Sequence, residues 1–395
     1  MKYKILAIAT TIGLFFTLTG HTQNFWENLN TPPGIGILSL AVDLNDNIYI
    51  GAGGVYRSTN EGINWELLGL ENKTIYSVTT NELGYIYAGT NMGISNYSIY
   101  RSIDNGQSWE GIYGGFANVI CIKSFPGGLM FAQSGTGSYI NVIRSIDYGN
   151  TWEEVIIFPS NTESPYDIAI QNHDTIYIGT TNWIGGGGVY RSVDGGDTWE
   201  HIGLTDCYVS SLALNSSGDL FAGTRGDYNL YSGGVFMLPH DQTEWINVNS
   251  EELVTSMVIN SKDEIYIGCS DLDEYTGGVR RSGDNGQTWE NISSGMGNQD
   301  IENLVIGPGG HLYAGAYNSS TPLFKSIRST EIPILDGSIT YANTNATPLS
   351  NIHVKLMQND SIIRDTITDA TGYFYFTDIN NGIYTINITP AKPWG

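Results

Sequence analysis

The chain has 395 residues, 40 Asp and Glu against 17 Lys and Arg, and a formal charge of −23. So acidic a chain without a basic patch argues against nucleic acid and against anionic membrane surfaces. Its 49 Gly and 25 Tyr, with no long helical pattern, fit many short strands joined by tight turns.

The chain opens "MKYKILAIATTIGLFFTLTGHTQ", with Lys2 and Lys4 ahead of an apolar run from Ile5 to about Leu18. The run is too short for a membrane anchor, and its flanks suit export. Residues 1–22 are therefore expected to be a signal peptide, cleaved near Thr22–Gln23, although the A-x-A pattern is missing. The mature chain is expected to be secreted or at the cell surface, without membrane insertion.

From there the sequence repeats. "RSTNEGINW" at 57–65, "RSIDNGQSW" at 101–109, "RSIDYGNTW" at 144–152, "RSVDGGDTW" at 191–199 and "RSGDNGQTW" at 281–289 are copies of one string. Trp65, Trp109, Trp152, Trp199, Trp245 and Trp289 follow at steps of 44, 43, 47, 46 and 44 residues. Each repeat reads as four strands. In the fourth these are "YDIAI", "TIYIG", "GVYRS" and "WEHI". Four short strands at this period predict a propeller blade, because one such sheet cannot cover its own faces. First strands near Ile37, Ile75, Val119, Tyr166, Val209, Val254 and Ile301 give seven blades. The seventh lacks a fourth strand, and Trp26–Leu29 is predicted to supply it, removing an open edge.

The string has a structural reading. Its Asp can accept N–H bonds within its own turn, its Gly supplies a positive φ, and its Trp packs between sheets. It resembles the Asp-box, or BNR, repeat of sialidases, xyloglucanases, the sortilin ectodomain and photosystem assembly propellers, and the resemblance spans residues 26–329. It implies a propeller over 23–329 and little about function, since those families do unrelated things. Asn60 replaces the Asp in repeat one, repeat five keeps little of the motif, and repeat seven ends "KSIRST" without a Trp.

Residues 330–336 read as a linker containing Pro333. Over 337–395, "TDATGYFYFTDINNGIYTI" looks like the strand pair of carboxypeptidase-regulatory-like or Cna-B-like domains, which implies a prealbumin-like β-sandwich acting as spacer or docking module. The last residues, "AKPWG", show no evident closure, so a continuation into an anchoring or sorting segment is an expectation. The fold class expected is all-β: a seven-bladed propeller closed by its N-terminal strand, plus a small C-terminal β-sandwich.

Catalytic constellations are weak. A resemblance to sialidases implies three arginines gripping a substrate carboxylate. Five of the nine arginines, Arg57, Arg101, Arg144, Arg191 and Arg281, precede the Ser of the repeat and belong to the hairpins. Arg364 lies in the second domain and Arg328 at the propeller's end, which leaves Arg225 and Arg280; the Arg-Ile-Pro signature is also missing. A resemblance to xyloglucanases implies two propellers flanking a cleft, with a carboxylate from each. A hydrolase within one ring needs two carboxylates about 5–10 Å apart. Asp167 and Glu302, on first strands of blades four and seven, are the best-placed candidates, although those blades lie across the ring. The six His have no ligand spacing. No phosphate-cradling loop occurs, because no helix follows "GGGG" at 185–188. Cys121, Cys207 and Cys269 leave two readings open, a Cys207–Cys269 bridge or three buried thiols.

Binding is expected on the face shared by the second-to-third and fourth-to-first connections, since variable loops on a fixed scaffold carry function. Trp183, Tyr97, Tyr139, Tyr228, Tyr231, Tyr275, Tyr317 and Arg225 sit in those loops. Aromatic faces beside polar groups suit sugar rings or a protein partner. The expected partner is a glycan or an extracellular protein, the chain itself is expected to be monomeric, and no cofactor is expected. Asp271, Asp273 and Glu274 in "SDLDEY" offer oxygen ligands for Ca²⁺ but match no dedicated loop. A glycoside hydrolase, sialidase- or xyloglucanase-like and acting at the same face, is the alternative reading. The small polar column Ser39, Ser77, Cys121, Asp167, Ser211, Ser256 and Asn303 predicts a narrow hydrated channel on the axis.

Overall fold

The computed structural model describes residues 24–390, except 33–34, 91–96, 115–117, 137–138, 160–162, 182–186, 226–232, 250–251, 271–276, 298, 317–321, 331–333, 339–351, 359–360, 369–372 and 378–384. The chain divides into two compact units, one of them Phe25–Ser329 and the other containing the described residues from Thr330 onward.

Phe25–Ser329 forms seven four-stranded antiparallel sheets, the blades of a propeller. The seven inner strands are Ser39–Val42, Ile75–Thr80, Ile122–Ser124, Ser164–Ile170, Val209–Leu214, Leu253–Ile259 and Ile301–Ile306. In blades one to six the strands run outward in chain order. Blade seven differs in the way the missing fourth strand required. Trp26–Asn28 pairs with Leu323–Ser326, placing Trp26 opposite Ser326. The first segment of the ring is thus locked to the last. Helical structure among the described residues is one 3₁₀ turn, Pro126–Gly128.

Apolar packing lies between blades, because each sheet is apolar on both faces and must bury both. Phe131 and Val142 of blade three pack with Ile168, Ile176 and Ile178 of blade four. Close approach is set in the second strands, where "IGT" and "AGT" place a Gly against the next blade. A Cβ on Gly179 would lie 2.6 Å from Val209 Cγ1, and one on Gly89 would lie 2.6 Å from the Val119 carbonyl oxygen. Blade three has Gln133 at this position. Its side chain accepts from Ile120 N at 3.3 Å and donates to Ser164 Oγ at 3.0 Å.

The recurring string folds identically wherever it is complete. Ser102 Oγ donates to Asp104 Oδ1 at 2.8 Å and accepts Gly106 N at 2.8 Å. Asp104 also accepts from Ser108 N and Ser108 Oγ, at 2.9 and 2.6 Å. Equivalent bonds join Ser145 with Asp147, Ser192 with Asp194 and Ser282 with Asp284. Two successive residues have positive φ, Asn105 at 60° and Gly106 at 85°. The first of the two was not expected from the sequence. The tryptophans brace neighbouring sheets, with Trp109 Nε1 donating to Leu68 O of the previous blade at 3.0 Å. Each string arginine pairs across its hairpin with the Glu after the Trp, as Arg57 does with Glu66 at 2.6 Å and Arg101 with Glu110 at 2.9 Å.

The other unit contains a two-stranded sheet, Ile334–Ser338 with Tyr373–Thr377, and a three-stranded sheet in which Ile352–Gln358 lies between Ser361–Ile367 and Thr385–Pro390. No disulfide joins Cys121, Cys207 and Cys269, so the Cys207–Cys269 alternative is not formed.

Candidate functional site: the central channel and its mouth

The inner strands surround a channel of about 910 Å³, and all seven residues of the small polar column line it. Their placement follows from a repeated irregularity. The pairing of inner and second strands slips by one residue before Ser77, Asp167, Ser211, Ser256 and Asn303. Such a bulge re-aims the next side chain. It lets the column reach sideways to the next blade. Ser77 Oγ accepts from Ile122 N at 3.1 Å, Ser211 Oγ from Met257 N at 3.0 Å, and Ser256 Oγ from Leu304 N at 3.0 Å. The column is therefore structural as well as polar. It satisfies backbone N–H groups that a channel wall would otherwise leave open.

Asp167 holds the same position in blade four with a longer reach. Its Oδ2 accepts from Leu212 N at 2.8 Å and from Ser211 Oγ at 3.2 Å. Its Oδ1 accepts from Ile168 N at 2.9 Å and lies 2.9 Å from Lys123 Nζ of blade three. Asp167 holds the Lys123 ammonium well above its usual range. Cys121, two residues before Lys123, is buried, and burial pushes its thiol up to about 12. It is thus a poor nucleophile at neutral pH.

At the mouth, three blades converge on one side chain. Arg225 follows the second strand of blade five, Leu220–Thr224. Its Nη2 binds Glu302 Oε2 of blade seven. The guanidinium carbon lies 5.8 Å from the ring centroids of both Tyr166 and Tyr208. These two rings meet edge-on at 5.5 Å and 64°. Burial penalises the Arg225 charge, but Tyr166 and Glu302 outweigh it and raise the guanidinium above its ordinary range. Burial likewise lifts the Tyr208 hydroxyl well above the normal tyrosine range. Arg225 and Glu302 remain 26% and 25% exposed, so the pair is reachable from solvent.

The two catalytic candidates are thus both on the channel wall, each already engaged by a cation. Both oxygens of Asp167 are occupied. Of the two expected binding residues whose side chains are described, Arg225 lies at the mouth. Tyr97 is 45% exposed and packs against Tyr100, with centroids 6.3 Å apart, and over Gly111 of its own blade. Tyr139 belongs to the strand Tyr139–Ser145, but its side chain lies outside the described residues, as do Trp183, Tyr228, Tyr231, Tyr275, Tyr317, Asp271, Asp273 and Glu274. Arg280, the other arginine the sequence left over, is 8% exposed and bound to Glu252 at 2.9 Å. Among the described residues no three His, Cys, Asp or Glu side chains gather as a metal site. Tyr166, Tyr208 and Lys123 were missed by sequence reasoning. Lys123 had a signal, as the one lysine on an inner strand two residues from the polar column.

No protein-family profile and no curated protein sequence matches the chain. Solved structures do match in fold. YCF48 from Cyanidioschyzon merolae is 13% identical with a TM-score of 0.56, covering 76% of this chain and 98% of that one. The extracellular domain of the putative one component system BT4673 from B. thetaiotaomicron is 15% identical with a TM-score of 0.60, covering 85% of this chain and 44% of that one. The GH74 xyloglucanase from Xanthomonas campestris is 14% identical with a TM-score of 0.57, covering 75% and 55%. The chain spans nearly all of the first and about half of the other two. These likenesses show a seven-bladed all-β propeller, and the neighbours include extracellular sensor domains and glycoside hydrolases. Among the described residues no helix is long and apolar enough to cross a membrane.

Proposed function

We propose that the chain is an exported binding protein whose propeller takes a protein or glycan partner at the channel mouth. The observation that carries this is the Arg225–Glu302 pair flanked by Tyr166 and Tyr208. It presents a charged, planar donor and two aromatic rings at a solvent-reachable opening. Guanidinium and aromatic groups are the side chains that most often anchor recognition, through bidentate bonds and stacking. The loop residues Trp183, Tyr97, Tyr139, Tyr228, Tyr231, Tyr275 and Tyr317 extend this surface in the same reading. A YCF48 structure carries a bound D1 peptide. That supports recognition as a use of such a ring.

The finer assignments belong to the same proposal. The chain is an Asp-box propeller over 23–329, preceded by a signal peptide over 1–22. A linker over 330–336 and a prealbumin-like sandwich over 337–395 serve as spacer or docking module, in a monomeric, secreted or surface-held protein. The glycoside hydrolase remains the alternative, and what supports the binding reading over it is that Asp167 is already engaged by Lys123, Ser211 and two backbone N–H groups.

The test is binding of the full chain to a glycan array and an extracellular-protein array, run beside a polysaccharide hydrolysis screen. Binding lost in Arg225→Met and in Tyr208→Ala, with the melting temperature kept, supports the proposal. Turnover abolished by Asp167→Asn would overturn it in favour of the hydrolase.

A further inference from the structure

The turns opposite the channel mouth carry a feature that the repeat does not require. The middle residue of the Ser-x-Asp turn faces solvent. In blades two, three and four it is Ile103, Ile146 and Val193, which are 60%, 63% and 60% exposed. Blades one and six have Thr59 and Gly283 there and form the same serine-bridged turn, so the fold does not need an apolar residue. Ile63 in the hairpin turn of blade one, and Leu44 and Leu83 between the inner and second strands of blades one and two, are 67%, 68% and 52% exposed. The two kinds of turn share this face, for Tyr148 Oη donates to Glu82 Oε1 at 3.1 Å and Gly195 N to Asp174 O at 2.9 Å. The matching turns of blades five to seven read "NSSGD", "PHDQTE", "NSKDE", "GDNGQT" and "GPGGH", with no exposed large apolar residue among the described ones.

These blades are also bridged to one another at the rim. Arg57 Nη1 donates to Asn105 O of blade two at 3.2 Å, Arg101 Nη1 to Tyr148 O of blade three at 2.9 Å, and Arg144 Nη1 to Gly195 O of blade four. Arg191 of blade four bonds Glu200 of its own hairpin instead. The apolar residues therefore sit on one braced arc. Three successive bridged blades thus expose an apolar side chain at the same turn position, which offers a partner several apolar contacts on one rigid face.

Charge says what the arc can take. The bridging cations are tucked in, with Arg57, Arg101 and Arg144 only 15%, 9% and 15% exposed. The carboxylates beside them are open, with Glu66 55%, Glu110 66%, Glu153 57% and Asp197 66% exposed. The arc thus shows apolar carbon framed by negative charge. A second copy of the chain, at −23, is repelled. Residues 334–390 of the chain itself carry five Asp against Lys355 and Arg364, and are a poor match for the same reason.

We propose that the arc on blades one to four docks a basic segment of another protein. Its apolar side chains cover Ile103, Ile146 and Val193, and its Lys or Arg side chains meet the flanking carboxylates. This surface is separate from the channel mouth, and each can fail without the other.

The probe is a fluorescent amphipathic helical peptide of Lys and Leu, titrated into the full chain. A Lys and Ser peptide and a Glu and Leu peptide serve as controls. The expected result is binding of the first peptide alone, weakening at least about tenfold from about 50 to about 300 mM salt as the charges are screened. The combined variant Ile103→Ser, Ile146→Ser, Val193→Ser is expected to lose at least about tenfold in affinity, as removal of an apolar interface centre does. Its melting temperature and far-UV spectrum should be unchanged. Equal binding by wild type and variant, equal binding of the Lys and Ser peptide, or no binding at all overturns the proposal. Stronger binding to neutral phosphatidylcholine vesicles than to the peptide also overturns it and makes the arc a lipid-contacting surface.

Discussion

The hairpin turns of blades two, three, four and six share one lattice of Ser, Asp and Gly contacts, whereas the channel mouth is built from a different residue in nearly every blade. At the position of the bulge, blades two and four have Tyr76 and Tyr166, blades five and six have Ser210 and Thr255, and blade seven has Glu302. The contrast has a physical cause. A turn with two successive positive φ values and a bridging carboxylate tolerates few residue types. An inner strand that has already formed its backbone bonds leaves the bulged side chain free to vary. Ser210 and Thr255 use this freedom to tie blades together, through bonds from their hydroxyls to Val254 O and Ile301 O. Tyr166 and Glu302 use it to surround Arg225. The first face keeps the ring in shape, and the second is where this chain differs from a generic propeller.

The sharpest way to break this division is to attack ring closure. Trp26 is 1% exposed and donates from Nε1 to Ile292 O at 2.8 Å. Trp26→Ala should cost about 3–5 kcal/mol in urea unfolding, the usual range for a large core aromatic. A cost below about 1 kcal/mol would mean that the terminal strand is not what closes the ring. Next in size is the turn lattice. Ser102 is fully buried, and Ser102→Ala leaves Gly106 N without an acceptor, at about 1–3 kcal/mol. The equivalent substitution Ser282→Ala should match it within about 0.5 kcal/mol if the turns are interchangeable.

The mouth should behave in the opposite way. Arg225→Met removes a partly exposed ion pair and should change stability by no more than about 1 kcal/mol. In the proposed function the same substitution removes binding. A large stability loss with binding intact would reverse the roles of the two faces.

The smallest effect is a pH dependence of the turns. Asp104 and Asp194 are held down at about 2 by the hydroxyls and N–H groups of Ser108 and Thr198, against an ordinary 3.8. Their folded values lie below the unfolded one. The stabilisation is therefore complete above about pH 4 and is lost as pH falls through about 2. NMR titration of the carboxyl carbons checks this, and a midpoint near 3.8 for Asp104 would show that the turn bonds are absent in solution.

How much of this was legible in the sequence differs by region. The repeat spacing alone predicts the blade count, because each turn is decided by residues within about nine positions of one another. The column from Ser39 to Asn303 was legible for the same reason, since equivalent register puts equivalent residues on the axis. The positive φ at Asn105, ahead of the one at Gly106, was not, because Asn and Asp adopt that region only when a turn demands it. Lys123 and Asp167 are 44 residues apart, and Arg225 and Glu302 are 77 apart. No local pattern links such pairs. Arg225 was singled out in the sequence by its place in a second-to-third connection and because the hairpins had claimed most other arginines, not by any link to Glu302.

The sequence by itself therefore determined the unit of the fold, its number, and the need for the segment from Trp26 to Leu29 to finish the seventh sheet, since these follow from short-range backbone geometry repeated in register. The tertiary structure alone decided which side chains from different blades meet. Arg225 reaching Glu302 between two tyrosines, Lys123 reaching Asp167, and Arg101 and Arg144 reaching the turns of the next blade all depend on how far one sheet is rotated from the next. That rotation is set by the packing of Gly179 and its equivalents against the following blade, and no single repeat contains it.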